Sequence, residues 1–155
     1  MKHILPFAVV ALMMLTLATF RPVLASDAVP ENSSEGSTRI TLTIGNKVVP
    51  AILYNSPPAR DLMARLPVTV SLNRGPVDYC GGIDPINHGG DDVQAGYRSG
   101  DLAYWIPGRD FVIFTENKET TSGPPDLVIL GQIKADIKEV RDLGSAIKVT
   151  IALER

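Results

Sequence analysis

The sequence predicts a mostly β protein, a closed and mainly antiparallel barrel of seven to eight strands with two short helices. Three observations support this class. Short apolar segments alternate with polar residues at a period of two, and turn residues separate them. The segment 100–114 shows a strand, a Pro-Gly turn and a second strand, and it carries the single tryptophan of the chain. Regular strand–helix–strand alternation is absent from the pattern, which favours an antiparallel barrel over a parallel sheet.

The first 25 residues are predicted to be a signal peptide. Lys2 provides a positive start, residues 4–20 form an uncharged apolar run, and the run ending at Ala25 suits a signal peptidase. We therefore expect cleavage after Ala25 and export, to the periplasm or the medium. A retained N-terminal anchor is the alternative, because this run lies at the lower edge of the length that spans a bilayer. Residues 26–38 are polar and predict a flexible leader.

Residues 39–155 are predicted to form one domain with one core. Removal of the signal peptide leaves 13 basic and 17 acidic residues, a formal charge of −4. A mildly acidic chain without basic clusters is a poor candidate for nucleic-acid binding, which needs a concentrated positive surface. Cys80 is the only cysteine, so no intramolecular disulfide forms; we expect this thiol to be a small buried residue, and a reactive or intermolecularly paired thiol is the alternative.

The barrel is predicted to open with a hairpin. Apolar residues alternate with threonine over 40–44, Gly45-Asn46 suits a two-residue connection, and residues 47–54 return as the second strand. Pro50 lacks a backbone donor, which indicates a sheet edge or a bulge at that point.

A short helix follows, with Ser56 as its cap and Pro57 at its first position. It lies between two strands and is placed to close one end of the barrel. Residues 68–72 alternate as the third strand. Residues 73–99 are rich in glycine and irregular, with one short strand around 77–80; a loop of this length is usually functional or mobile.

The two aromatic strands come next, and a polar loop at 116–126 separates them from an apolar strand at 127–133. Asp136 and Glu139 have the spacing of a capping box, which predicts a second short helix. Alternation over 147–153 predicts the last strand.

In this order, the segments resemble the bacterial cyclophilin-like domain family of single-domain barrels. The resemblance covers residues 39–155. It is carried by the opening hairpin, YNSPPARDL at 54–62, LPVTV at 66–70, GDLAYWIPG at 100–108, FVIF at 111–114, LGQI at 130–133 and the closing strand. The resemblance implies a cyclophilin-like barrel and little chemistry. Many relatives carry a Glu-Lys pair shortly after the third strand, where this chain has VDYCG at 77–81.

The leading functional hypothesis is a non-catalytic binder of a peptide or small ligand, in a groove beside the 73–99 loop. It rests on a long Gly-rich loop next to the aromatic strands of a barrel. Six residues are candidates for ligand contact: Arg60, Tyr79, Tyr97, Asp101, Tyr104 and Trp105. Tyr104 and Trp105 alternate on one strand, so one of them belongs to the core and the other to the exterior or to a groove.

Two alternatives stay open. The first is a divergent peptidyl-prolyl isomerase, although true cyclophilins carry an arginine two residues after a phenylalanine, and the strand 111–115 does not. An isomerase would then take its hydrogen-bond donor from an arginine such as Arg60, Arg98 or Arg109. The second is a structural or interaction module that uses the edge near Pro50. The oligomeric state is left open.

We expect no metal and no cofactor. Four residues of the irregular segment could surround a divalent cation: Asp84, His88, Asp91 and Asp92. The segment lacks a recognised ligand spacing, however, and ordinary turn chemistry explains its composition. No serine or cysteine lies in a nucleophile-elbow motif, so the sequence shows no catalytic signature.

Overall fold

The computed structural model describes residues 36–116 and 123–155. The predicted signal peptide, the leader up to residue 35 and residues 117–122 of the polar loop lie outside the described residues. The predicted fold class is confirmed: eight antiparallel strands close into a barrel, accompanied by one further strand and two short helices. Within the described residues, no helix has the length and apolar character needed to cross a membrane.

In the part of the chain that the structure describes, nine strands and two α-helices follow one another. The strands are β1 (Thr38–Ile44), β2 (Lys47–Leu53), β3 (Val68–Arg74), β4 (Asp78–Gly82), β5 (Val93–Gln94), β6 (Asp101–Trp105), β7 (Asp110–Phe114), β8 (Leu127–Ile133) and β9 (Ala146–Leu153). The helices are α1 (Pro57–Met63) and α2 (Lys138–Arg141). The barrel order is β2-β1-β9-β3-β4-β7-β6-β8, and pairing of β8 with β2 closes the ring. Strand β5 pairs with β8 outside the ring.

The β1–β2 turn and helix α1 form as their residue types predict. Gly45 has a positive φ of 60° in the β1–β2 turn, as the Gly-Asn pair predicts. Pro50 pairs with Thr41 of β1, and its carbonyl oxygen accepts a hydrogen bond from the Lys134 amide at 2.8 Å, so β2 has neighbours on both sides here and the predicted sheet edge does not form. Ser56 caps α1 by accepting a hydrogen bond from the Ala59 amide at 3.4 Å, and Pro57 begins the helix.

The capping box predicted for α2 does not form. The Asp136 carboxylate accepts a hydrogen bond from the Lys138 amide at 3.0 Å, but the Glu139 carboxylate lies 3.9 Å from the Lys47 ammonium group instead of turning back to the helix start. The helix is therefore a single short turn, and its buried Val140 attaches it to the barrel.

The barrel interior is a single apolar core. Inward-facing residues of the eight barrel strands fill it, and Leu42, Phe111 and Val149 have no exposed surface. Leu62 from α1 and Val140 from α2 pack onto this core, as predicted for a helix that closes a barrel end. The two helices lie at opposite ends, because the strands that lead into them, β2 and β8, run antiparallel.

At two positions among the described residues, neighbouring barrel strands lie so close that only glycine fits. A Cβ atom at Gly131 would lie 1.9 Å from the Ile52 carbonyl oxygen, where β2 closes the ring against β8. A Cβ atom at Gly81 would lie 2.0 Å from the Ser71 carbonyl oxygen on the neighbouring strand β3. The absence of a side chain at these positions lets the backbones approach each other.

A second apolar cluster covers the outside of the barrel on β6, β7 and β8; we call it the outer cluster. Its buried members are Tyr97, Ala103, Val112, Phe114, Leu127 and Ile129. The rings of Tyr97 and Phe114 are stacked, with centroids 3.8 Å apart and planes 7° apart. This side of the barrel is therefore covered by apolar side chains on both faces of its sheet.

Candidate functional site

A pocket of about 170 Å³ opens at the edge of the outer cluster. Its walls come from four neighbouring strands and from the loop before β8. The lining residues are Asp78, Cys80, Trp105, Val112, Phe114, Pro124 and Leu127. Side chains alternate between the two faces of a strand, so Asp78 and Cys80 of β4 and Val112 and Phe114 of β7 reach the same outer face.

The alternation on β6 decides which aromatic residue belongs to the pocket. Tyr104 is 2% exposed and packs in the barrel interior, whereas Trp105 points outward and lines the pocket. The two side chains therefore take opposite faces, as the sequence predicts. Across the β6–β7 ladder, Trp105 is paired with Asp110.

One carboxyl group, that of Asp78, lines the pocket, and a second, that of Asp110, lies outside the lining on the same outer face of β7. Asp78 pairs with Phe114, Cys80 with Val112, and Gly82 with Asp110, so the two aspartates bracket the rung formed by Cys80 and Val112. Burial raises the pKa of Asp78, and the charge of Asp110 raises it further. Burial also raises the pKa of Asp110. The pKa of the Cys80 thiol is raised by burial and then by both carboxylates, so the thiol stays protonated.

The raised pKa of Asp78 predicts a pH-dependent cost to stability. The carboxyl group ionises more easily in the unfolded chain, so the folded state loses stability as pH rises from the ordinary value of 3.8 through the raised folded value. We expect Asp78→Asn to raise the free energy of unfolding at pH 7 by up to about 1 kcal/mol, since solvent screens this half-buried group. The gain should vanish below the ordinary pKa. Urea unfolding at several pH values measures it.

Asp61 on α1 provides a control of opposite sign. Burial disfavours its ionisation, but hydrogen bonds from Asn87 and the charge of Arg65 outweigh burial and hold its pKa below the ordinary value. Asp61→Asn should therefore lower stability at pH 7, and the loss should fade as pH drops through the folded pKa of Asp61. If the two variants change stability in the same direction at pH 7, the electrostatic interpretation of the pocket is wrong.

Two further predicted site residues lie on the same outer face as Trp105. Tyr97 belongs to the outer cluster, and its pKa is raised by burial and then by the charges of Asp78 and Glu116. Asp101 begins β6, and its carboxylate accepts a hydrogen bond from the Arg98 amide at 2.7 Å. Neither residue lines the pocket itself: Tyr97 stacks on the lining residue Phe114, and Asp101 fixes the turn before β6.

The remaining predicted residues lie elsewhere. Tyr79 is fully buried in the interior core, where its hydroxyl donates to the Gly144 carbonyl oxygen at 2.7 Å and accepts from Arg74 at 3.0 Å. Arg60 is exposed on α1 and donates to the Asn55 side-chain oxygen at 2.9 Å. The structure does not bring these two residues, or the interior Tyr104, together with Trp105.

Three of the four residues considered as metal ligands make hydrogen bonds to nearby protein groups. The Asp84 carbonyl accepts a hydrogen bond from Arg65, the His88 Nδ1 atom lies 2.8 Å from the Ile86 carbonyl oxygen, and the Asp92 carboxylate accepts from the Gly89 amide at 2.7 Å. Asp91 is exposed. Over residues 36–116 and 123–155, no group of three or more histidine, cysteine or acidic residues is arranged to hold a metal ion.

Most of the pocket was not predicted from the sequence. Alternation along the sequence does not reveal which strands lie next to one another. It therefore does not identify five of the lining residues: Asp78, Cys80, Val112, Phe114 and Leu127. The alternation within β7 would identify two of them if the pairing of β6 with β7 were known. Because Trp105 pairs with Asp110, Val112 and Phe114 lie on the same outer face as the indole. Without that register, an outward apolar residue cannot be distinguished from an inward one.

Comparisons with known proteins agree with this architecture. No curated protein matches the chain. The solution structure of the hypothetical protein AF2241 from Archaeoglobus fulgidus is similar to it, with a TM-score of 0.55 and 16% sequence identity, over 76% of this chain and 95% of that one. At this identity the likeness shows the fold. The model of the cyclophilin-like family matches residues 42–152, from the middle of β1 to the end of β9. The chain therefore belongs to the cyclophilin-like family.

Proposed function

We propose that this protein binds a small ligand or a peptide side chain, without covalent chemistry, in the outer pocket beside the 73–99 segment. One observation carries the proposal: an apolar pocket lies beside the single tryptophan, with Val112, Phe114 and Leu127 among its walls. Such a surface favours apolar contact, and the carboxyl group of Asp78 supplies a hydrogen-bond acceptor at its edge.

The chemistry of the pocket supports binding over catalysis. The Cys80 thiol is a poor nucleophile because its pKa is raised. The described lining contains no arginine that would donate to the nitrogen of an X-Pro bond. In a protease-coupled assay on X-Pro peptides, we expect no acceleration. An acceleration that is lost in Arg60→Ala or Arg98→Ala would instead support the isomerase.

The binding proposal predicts a response of the single tryptophan. We expect 3,3-dimethyl-1-butanol, or the capped peptide Ala-Pro-Phe, to shift Trp105 emission in a saturable way, because an occupant of the pocket replaces water at the indole ring. Cys80→Leu should abolish this response by filling the pocket from β4. Cys80→Ala removes the same thiol, leaves the space open, and should retain the response.

Circular dichroism and thermal unfolding of both variants show whether the fold is retained. An emission response in Cys80→Leu equal to that of the unmodified protein would place binding outside the pocket. The absence of a saturable response to either probe in the unmodified protein would overturn the proposal.

We further propose that the domain acts after export, because the apolar segment 4–20 and the cleavage run ending at Ala25 are typical of a signal peptide. The exported chain should begin at Ser26, which intact-mass measurement of the periplasmic or secreted fraction checks. A full-length chain in the membrane fraction would support the retained anchor instead.

A further inference from the structure

The outer pocket combines an apolar body with the carboxyl group of Asp78 in its lining and that of Asp110 on the strand beside it. We propose that it selects ligands in which a positively charged ammonium group is attached to an apolar body. This inference rests on the proposed binding function and specifies its ligand class. Three features of the described residues support it: the arrangement of the carboxylates, their lack of an internal counterion, and the position of the indole ring.

The first feature is the arrangement of Asp78 and Asp110. They lie on adjacent strands at either side of the rung formed by Cys80 and Val112. The charge of Asp110 acts on Asp78, and both charges act on the thiol between them, so the aspartates share one electrostatic environment. A ligand seated over Val112 would therefore have a carboxylate on each side.

The second feature is the missing counterion. Ion pairs within the described residues join four other carboxylates to basic side chains: Arg39 with Glu154, Lys47 with Glu139, Arg65 with Asp61 and Arg141 with Glu116. In that part of the chain, neither Asp78 nor Asp110 belongs to an ion pair. A half-buried carboxylate without a counterion gains more from a ligand cation than an exposed or paired one does, because less water screens the interaction.

The third feature is Trp105. Tryptophan is the aromatic side chain whose face attracts cations most strongly, at distances within about 6 Å of the ring centroid. Trp105 lines the pocket and is paired with Asp110 across the β6–β7 ladder. An ammonium group beside the indole would thus lie close to a carboxylate as well. A neutral ligand of the same shape would gain only the apolar contact.

Matched pairs of probes test the inference at constant ionic strength. Choline and 3,3-dimethyl-1-butanol have the same shape and differ in one positive charge. Nα-acetyl-lysine amide and Nα-acetyl-2-aminoheptanoic acid amide, in which a methyl group replaces the ammonium group, make the same comparison for a peptide side chain. In titrations followed by Trp105 emission, we expect about tenfold tighter binding of the cation in at least one pair. The pair with the larger ratio indicates whether the ligand is a quaternary ammonium compound or a lysine side chain.

Variants assign the preference to the two carboxylates. The double variant Asp78→Asn, Asp110→Asn should lose the preference for the cation, so that the ratio of the two affinities within each pair of probes falls to about one. The double variant Asp84→Asn, Asp91→Asn removes two exposed carboxylates that do not line the pocket, and should retain the preference. It controls for the change in net charge.

Each other outcome has a definite meaning. Equal affinity for cation and neutral partner in both pairs overturns the charge preference and leaves the binding function standing. A preference that persists in the double variant also overturns the inference, because its source then lies elsewhere. If no probe of either kind binds, the proposed binding function fails along with the inference.

Discussion

The Gly81→Ala variant is expected to lose about 3 kcal/mol of unfolding free energy or to fail to fold, in the upper range for overpacked sites. The added Cβ would lie 2.0 Å from the Ser71 carbonyl oxygen and 3.2 Å from the Leu72 Cα atom. Both atoms belong to the backbone of β3, so no side-chain rotation relieves the clash. The strands must move apart, which disturbs the β3–β4 pairing next to them. Urea unfolding with an unchanged m value measures the loss.

The neighbouring glycine is a matched control. Gly82 lies in the same strand, and a Cβ atom built there meets nothing within 4 Å. Gly82→Ala should therefore change the unfolding free energy by less than about 1 kcal/mol. The change should favour the folded state, because alanine lowers the conformational entropy of the unfolded chain. Equal losses of unfolding free energy in both variants would mean that the close approach of β3 and β4 at Gly81 is not the cause.

The Phe111→Ala variant is expected to lose about 3–5 kcal/mol, the range for a large aromatic residue removed from a packed core. Phe111 has no exposed surface and pairs with the interior Tyr104 across the β6–β7 ladder. Truncation leaves a cavity that neighbouring strands cannot fill, because they are fixed on both sides by pairing. Chemical denaturation reports the loss, and Phe111→Leu provides a milder variant if the alanine variant does not fold.

An exposed apolar residue shows whether the loss comes from burial. Val48 on β2 is 57% exposed, so Val48→Ala should change stability by no more than about 0.5 kcal/mol. A loss below about 1 kcal/mol for Phe111→Ala would mean that the barrel interior is not the main source of stability.

Much of the fold could be predicted from the sequence, because half-buried strands carry an alternating pattern. Strands β1 and β9 each show this alternation, and the Gly45-Asn46 turn fixes the first hairpin. The apolar run of β8 predicts a strand covered on both faces, and the structure places it between the interior core and the outer cluster. These signals are local, and they establish the class.

Strand order and the pocket could not be predicted in the same way. Strand β4 ends in Gly81 and Gly82, which have no side chain to show an alternation, yet it is the barrel strand between β3 and β7. The pocket depends on the register of four strands that are distant in sequence. Asp78 and Asp110 are 32 positions apart, and only the barrel order brings them to one face. Sequence periodicity gives no information about such pairings.

The two-residue strand β5 has a consequence for behaviour at high concentration. β2 pairs with the second half of β8 and β5 with its beginning, so the backbone groups of Leu127 and Val128 are already occupied on both sides. Unoccupied groups of this kind recruit strands from other molecules and start aggregation. Strand β5 thus protects the apolar beginning of β8 from pairing between molecules.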